Sequence, residues 1–273
     1  MMGKNDLPEL LSGSDVAWWS TRFEGGGEAK TVYRAGEGPG VVVIHEIPGI
    51  YPAVSRFAER VVKAGFSVAM PDLFGVVGRE PTRGYEFAQI ARACISHEFH
   101  VLAARGSSPI THWLRALCRD LYAECGGPGV GALGMCLTGN FALSLMVDPW
   151  VMAPVLSQPS LPFPLGAERR RGLHVSDEDL QVVRRRACEE GVKVLGMRFT
   201  DDPMCPPERF QRLREELGDG FEEIEIDSSP GNPHGIRCRA HSVVTADLVD
   251  QADHPTRKAL DRVLEFFGEC LKR

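Results

Sequence analysis

Cys136 lies in the string Gly134-Met135-Cys136-Leu137-Thr138-Gly139. The apolar run Val130-Gly131-Ala132-Leu133 precedes it, and Phe141-Ala142-Leu143 follows. Strand, tight turn and helix in that order form a nucleophile elbow, here with Cys where Ser is more usual. Small residues must flank such a turn, because its central residue takes a strained backbone conformation. The turn exposes the sulfur, and the N-terminus of the next helix favours thiolate over thiol. The same string also suits a glycine-rich turn that carries an incidental buried cysteine.

A thiol nucleophile needs a base and a group to orient that base, and in this kind of fold they follow it in the order acid, then histidine. Asp201 and Asp202 come after the apolar run 192–199, and His241 comes between the run 221–226 and the last helix. His234, in Gly231-Asn232-Pro233-His234-Gly235, competes with His241. An Asp-Asp-Pro sequence also serves as plain turn chemistry. The amide of Leu137, next to the nucleophile, is the expected first donor of an oxyanion hole.

These residues need a scaffold that brings three distant turns together. The continuous apolar run 40–44 reads as a strand buried on both faces, and 66–70, 130–134, 150–156, 192–199 and 221–226 read as further strands. Between them, helical spacing covers 51–64, 111–125, 140–146, 176–190, 207–217 and 255–270. Strands alternating with helices predict an α/β fold, a mostly parallel central sheet with helices on both faces. Sites in such sheets lie beyond the C-terminal ends of the strands. Residues 1–38 read as an N-terminal extension packed on the core, with Lys30–Arg34 as a half-buried edge strand between glycine-rich turns. Residues 39–273 read as one domain with an inserted helical segment around 165–190.

Four segments resemble the dienelactone hydrolase family of α/β-hydrolases. They are His45-Glu46-Ile47-Pro48-Gly49, Pro71-Asp72-Leu73-Phe74, the Gly-x-Cys elbow, and the Asp and His loops. The resemblance covers roughly residues 40–270. The family's acid is followed four residues later by Pro, which fits Asp202 and Pro206 and not Asp201. The family's histidine stretch is similar to Ala240-His241-Ser242-Val243. The resemblance implies a Cys136-His241-Asp202 triad and an ester, lactone or thioester substrate. It also implies Ile47 as the second oxyanion amide, and Glu46 as a carboxylate that holds the thiol neutral until substrate arrives. A helix-terminal acid stabilised by the dipole is the simpler account of Glu46. Thr138 stands where the family usually has Gly, and is expected to narrow the elbow or shift the helix start. Thr245 stands where members that hydrolyse dienelactone carry Arg. A hydroxyl cannot clamp a carboxylate as a guanidinium does, so dienelactone itself is not the expected substrate.

Composition limits the partners. The chain has 273 residues, 31 Lys and Arg against 37 Asp and Glu, and a net charge of -6. That balance does not favour nucleic acid or an anionic membrane surface. No run is long and apolar enough for a membrane helix, and the N-terminal residues carry no apolar signal core. Eight cysteines without a C-x-x-C pair read as free thiols in a reducing cytoplasm. Cys94, His97 and His100 have metal-like spacing, but on a helix they do not share a face, so no metal is expected there. No organic cofactor is expected either. Arg169–Arg171 and Arg184–Arg186 read as a solvated face, His45 as a pocket or strand-capping residue, and Trp18-Trp19 as packing. Two other functions remain open at this stage: a catalytically silent binding protein of the same fold, and a thiol redox sensor built on Cys136.

Overall fold

The computed structural model describes residues 7–95 and 109–272. Its frame is one eight-stranded sheet. The strands are β1 (Trp18–Gly25), β2 (Glu28–Ala35), β3 (Gly40–Ile44), β4 (Ser67–Pro71), β5 (Val130–Met135), β6 (Val151–Ser157), β7 (Val194–Phe199) and β8 (Phe221–Ile226). Their spatial order is β1-β2-β4-β3-β5-β6-β7-β8. From β4 across to β8 every pairing is parallel. β1 and β2 form an antiparallel hairpin, and β2 runs antiparallel to β4.

The central strands are runs of Val, Ile, Leu, Ala and Met, and β3, β4, β5 and β7 are buried at every position. Both faces are therefore covered, as parallel sheets require. Helices α1 (Glu9–Ser12), α2 (Pro52–Lys63) and α9 (Pro255–Leu271) cover one face. The other face carries α4 (Ile110–Cys125), α5 (Phe141–Leu145), α7 (Asp177–Cys188) and α8 (Pro207–Leu217). α3 (Arg83–Ile95) and α6 (Ala167–Arg171) complete the described helices. No helix among the described residues is long and apolar enough to cross a membrane.

Two expectations are corrected. Lys30–Arg34 is not an edge strand. It lies within β2, which β1 covers on one side and β4 on the other. A two-residue turn at Gly26 and Gly27, both at positive φ, closes this hairpin, the geometry that matches strand twist. The second correction is Arg186, which is buried rather than part of a solvated face. Its guanidinium donates to the carbonyls of Met146, Asp148, Pro149 and Val151, which leave α5 and enter β6. Five donors in a planar fork suit a cluster of backbone acceptors, and its Nε also pairs with the Glu190 carboxylate at 3.3 Å. The neighbouring arginines do form surface ion pairs, such as Arg170 with Glu208 and Arg171 with Glu215.

The inserted segment folds as α6 and α7. Ser176 caps α7 by accepting from the Asp179 amide at 3.1 Å. Trp18 is buried in the core on the face that α1, α2 and α9 cover. Of the metal-like trio, Cys94 lies near the end of α3, and His97 and His100 lie outside the described residues. Among the described residues, no group of three or more His, Cys, Asp or Glu is placed to hold a metal ion.

Candidate active site

Cys136 follows β5 directly and holds φ at 52°, the left-handed region. Non-glycine residues avoid it, at a cost on the order of 1–3 kcal/mol. Packing enforces the turn. A Cβ on Gly134 would come within 2.2 Å of the Thr138 carbonyl oxygen, and one on Gly139 within 2.5 Å of Pro159 Cα. Only glycine fits at these two positions. The Cys136 carbonyl accepts from the Gly139 amide at 3.0 Å and the Ser160 amide at 2.9 Å. The chain makes a single 3-10 turn over Cys136–Thr138, and α5 begins at Phe141.

Thr138 makes the elbow more secure. Its hydroxyl accepts from the Met135 amide at 3.0 Å. It lies within 3.1 Å of the Ile44, His45 and Met135 carbonyls, to one of which it donates. The residue that replaces the family's glycine thus ties the elbow to the end of β3.

The acid and the histidine come from the turns after β7 and β8. Asp202 Oδ2 lies 2.7 Å from His241 Nδ1. Asp202 Oδ1 accepts the Met204 amide at 2.9 Å, which fixes the carboxylate plane. Arg198, buried in β7, holds both sides of the acid's loop, donating to the Thr200 and Cys205 carbonyls at 2.8 Å each. Asp201 is exposed and engages Ser228 through its amide. His234 is exposed and stacks against His254, away from Asp202. Asp247 supports the histidine loop, accepting from the His241 and Ser242 amides at 2.8 and 3.0 Å. Burial works against the Asp247 anion, but Arg237 and those two amides hold its carboxyl below the usual range.

His241 Nε2 is buried and has no hydrogen-bond partner of ordinary geometry. Burial of the ring disfavours its charged form. Its interaction with Cys136 and then the contacts with Asp202 outweigh that, and the ring is held well above its ordinary pKa. A histidine fixed by an acid at Nδ1, with Nε2 free and coupled to a thiol, can take a proton from that thiol. Among the turn and loop hydrogen bonds of the described residues, none uses the N–H of Ile47 or Leu137. Both amides belong to the turns beside Cys136, after β3 and β5.

Glu46 is buried at the end of β3. Tyr51 Oη donates to its Oε1 at 2.5 Å, and Thr245 Oγ1 donates to the same oxygen. Gln158 Nε2 and Ser242 Oγ each donate to Oε2 at 3.0 Å. Cys136 makes no hydrogen bond to it. The Tyr51 hydroxyl is held far above its ordinary pKa by burial first, and then by the Glu46 charge. His45 is a structural tie: its Nε2 accepts the Leu73 amide at 3.1 Å and its Nδ1 donates to the Glu46 carbonyl. It packs edge-on against Phe74.

Sequence reasoning missed Tyr51, Gln158 and Ser242. Gln158 alone left a trace, as a polar residue directly after a buried strand. Its φ of 33° marks it as strained in the structure. A separate cleft of about 220 Å³, lined by Arg171, Leu173, Leu180 and Arg212 among others, contains none of Cys136, Asp202 and His241. Chemistry, not cavity size, locates this site.

A left-handed cysteine on a strand–helix turn, with Asp202 and His241 in the loops after later strands, fits an α/β-hydrolase architecture. The profile of the dienelactone hydrolase family matches residues 28–271, and the chain belongs to that family. It is a hydrolase of the kind that acts on ester bonds. Solved structures of similar fold include a dienelactone hydrolase from Anabaena variabilis (TM-score 0.58, 14% identity, 94% of this chain and 100% of that one). Another is a dienelactone hydrolase-like promiscuous phosphotriesterase from metagenomic libraries (0.60, 17%, 94% and 99%). A third is an esterase from Pyrococcus furiosus (0.60, 12%, 94% and 94%). At these identities the likeness is one of fold. No curated protein matches the chain by sequence.

Proposed function

We propose that this chain is a cysteine hydrolase that cleaves a small ester, lactone or thioester through Cys136, His241 and Asp202. The observation that carries the reading is the 2.7 Å contact of Asp202 with His241 Nδ1, which leaves Nε2 free beside a left-handed Cys136. His241 takes the thiol proton and Cys136 Sγ attacks the acyl carbon. Asp202 stabilises the charged ring. The free amides of Ile47 and Leu137 hold the developing oxyanion, worth about 2.7–4 kcal/mol per donor. His241 returns its proton to the leaving oxygen or sulfur, and the acyl group stays on Cys136 as a thioester. Water then gives a proton to His241 and attacks this thioester, releasing the acid and restoring the thiol. No step calls for a metal or organic cofactor.

Glu46 belongs to the site as its buried carboxylate. Thr245 has its hydroxyl committed to Glu46 and brings no cation to a substrate carboxylate, which supports a substrate other than dienelactone. Cys118, Cys125, Cys136, Cys188, Cys205, Cys238 and Cys270 form no disulfide, in keeping with a reducing compartment such as the cytoplasm.

Replacement of Cys136 by Ala, assayed with short 4-nitrophenyl esters and unsaturated lactones, tests the reading. Turnover should fall to the uncatalysed level while the melting temperature stays close to that of the parent. Unchanged turnover in the folded variant would remove the assignment of Cys136 as the nucleophile.

A further inference from the structure

Glu46 is a buried carboxyl group whose hydrogen-bond partners, among the described residues, are neutral hydroxyl and amide groups. A carboxylate out of water is tolerated only when its oxygens are hydrogen-bonded. Here both oxygens are used twice, and the donors come from separate parts of the chain. Tyr51 precedes α2 and Gln158 follows β6. Ser242 and Thr245 lie on the loop that carries His241.

That loop is bound to Glu46 at three points. Ser242 and Thr245 donate directly. The third is indirect: Gln158, which donates to Glu46, accepts the Val243 amide at 3.3 Å through its Oε1. Ser157 donates to that same oxygen, which fixes the amide's orientation. Ser242, Val243 and Thr245 thus refer back to one carboxylate, directly or through Gln158. Cys136 does not, since no hydrogen bond joins it to Glu46.

We propose that Glu46 is a positioning residue for His241, acting through the hydroxyls of Ser242 and Thr245 rather than on the Cys136 thiol. The proposal rests on the Cys136-His241-Asp202 reading. The Asp202 contact fixes one end of the imidazole and Asp247 holds the His241 and Ser242 amides, but neither of them ties this loop to β3. Glu46 sits at the end of β3, beside Ile47, and so ties that loop to the turn that supplies an oxyanion amide. Base and oxyanion donor are then held in one frame.

The test measures kcat and KM with a 4-nitrophenyl ester, together with the rate of Cys136 alkylation by iodoacetamide at pH 7. The variants are Glu46→Gln, Thr245→Val, Thr245→Ser, His241→Ala and the double variant Glu46→Gln/His241→Ala. Glu46→Gln keeps the shape but sets an NH2 group against Gln158 or the hydroxyl pair. It should lower kcat by roughly tenfold to 100-fold, the scale of a misplaced catalytic group, with little change in KM. Thr245→Val should lose part of kcat, and Thr245→Ser, which keeps the hydroxyl, should recover it. On the His241→Ala background, Glu46→Gln should change alkylation by less than about twofold, because its effect runs through the missing ring.

An alkylation change of equal size with and without His241 would overturn the proposal and assign Glu46 to the thiol. So would a Thr245→Val variant with parental kcat, or a Thr245→Ser variant no better than Thr245→Val. If Glu46→Gln does not fold, the two Thr245 variants decide. The triad reading fails separately: in that case His241→Ala by itself leaves turnover and alkylation unchanged, and the positioning proposal falls with it.

Discussion

The strain in Cys136 is local, and so is the information that specifies it. Gly134 and Gly139 show in the sequence because the turn leaves no room for a Cβ at either position. The choice of Asp202 over Asp201 needed the spacing to Pro206, since two adjacent carboxylates look alike until a fold buries one. The partners of Glu46 were beyond reach: they lie 5, 112, 196 and 199 residues away in the chain. Hydroxyl and amide side chains carry no periodic signal that would link them. His45 gives a prediction of its own. Full burial lowers its pKa from 6.5 to about 4, and its hydrogen bond to the Glu46 carbonyl offsets only part of this. Between those two pH values the unfolded chain binds a proton that the folded one refuses. The stabilisation is thus complete above pH 6.5 and is lost as pH falls toward 4, by on the order of 3 kcal/mol. Urea unfolding of the parent and of His45→Gln at pH 7 and 4.5 should show the steeper loss in the parent. Equal slopes would refute a buried neutral His45.

At the scale of elements, the elbow depends on how β5 meets β3. Thr138 joins them with one hydroxyl that both donates and accepts. Thr138→Val keeps the volume and removes the hydroxyl, leaving the buried Met135 amide without its acceptor. The expected loss is about 1–3 kcal/mol of stability, read as a lower melting temperature, with a larger fractional loss of kcat than of substrate affinity. Thr138→Ser should retain most of both. Equal behaviour of Val and Ser would show that the hydroxyl is idle. The parallel strands were legible because burial on both faces writes continuous apolar runs. β1 was not: its sequence WWSTRFEG mixes buried and exposed positions, which is what a strand at the sheet's edge displays. Without β1, β2 reads as the edge.

The whole molecule is a sheet between two apolar layers, and the hairpin is part of that sheet. Trp18, Val32, Tyr33 and Ala35 are buried in it, and β2 supplies the hydrogen bonds along one side of β4. Deletion of residues 1–35 should therefore uncover the edge of β4 together with apolar surface, and drive self-association. Size-exclusion chromatography of the truncated chain should show aggregates or no soluble protein. A soluble, active truncation would show that the hairpin is dispensable. The overall plan brings the turns after β3, β5, β7 and β8 to one end, and the three residues of the proposed triad are useful only because that end is shared. The most direct measurement of this claim is rapid quenching of the enzyme during turnover of a 4-nitrophenyl ester, followed by peptide mass spectrometry. The account expects one acyl group, carried on Cys136, that forms within the burst and is absent from Cys136→Ala. Full turnover with no adduct on Cys136, retained in Cys136→Ala, would contradict it.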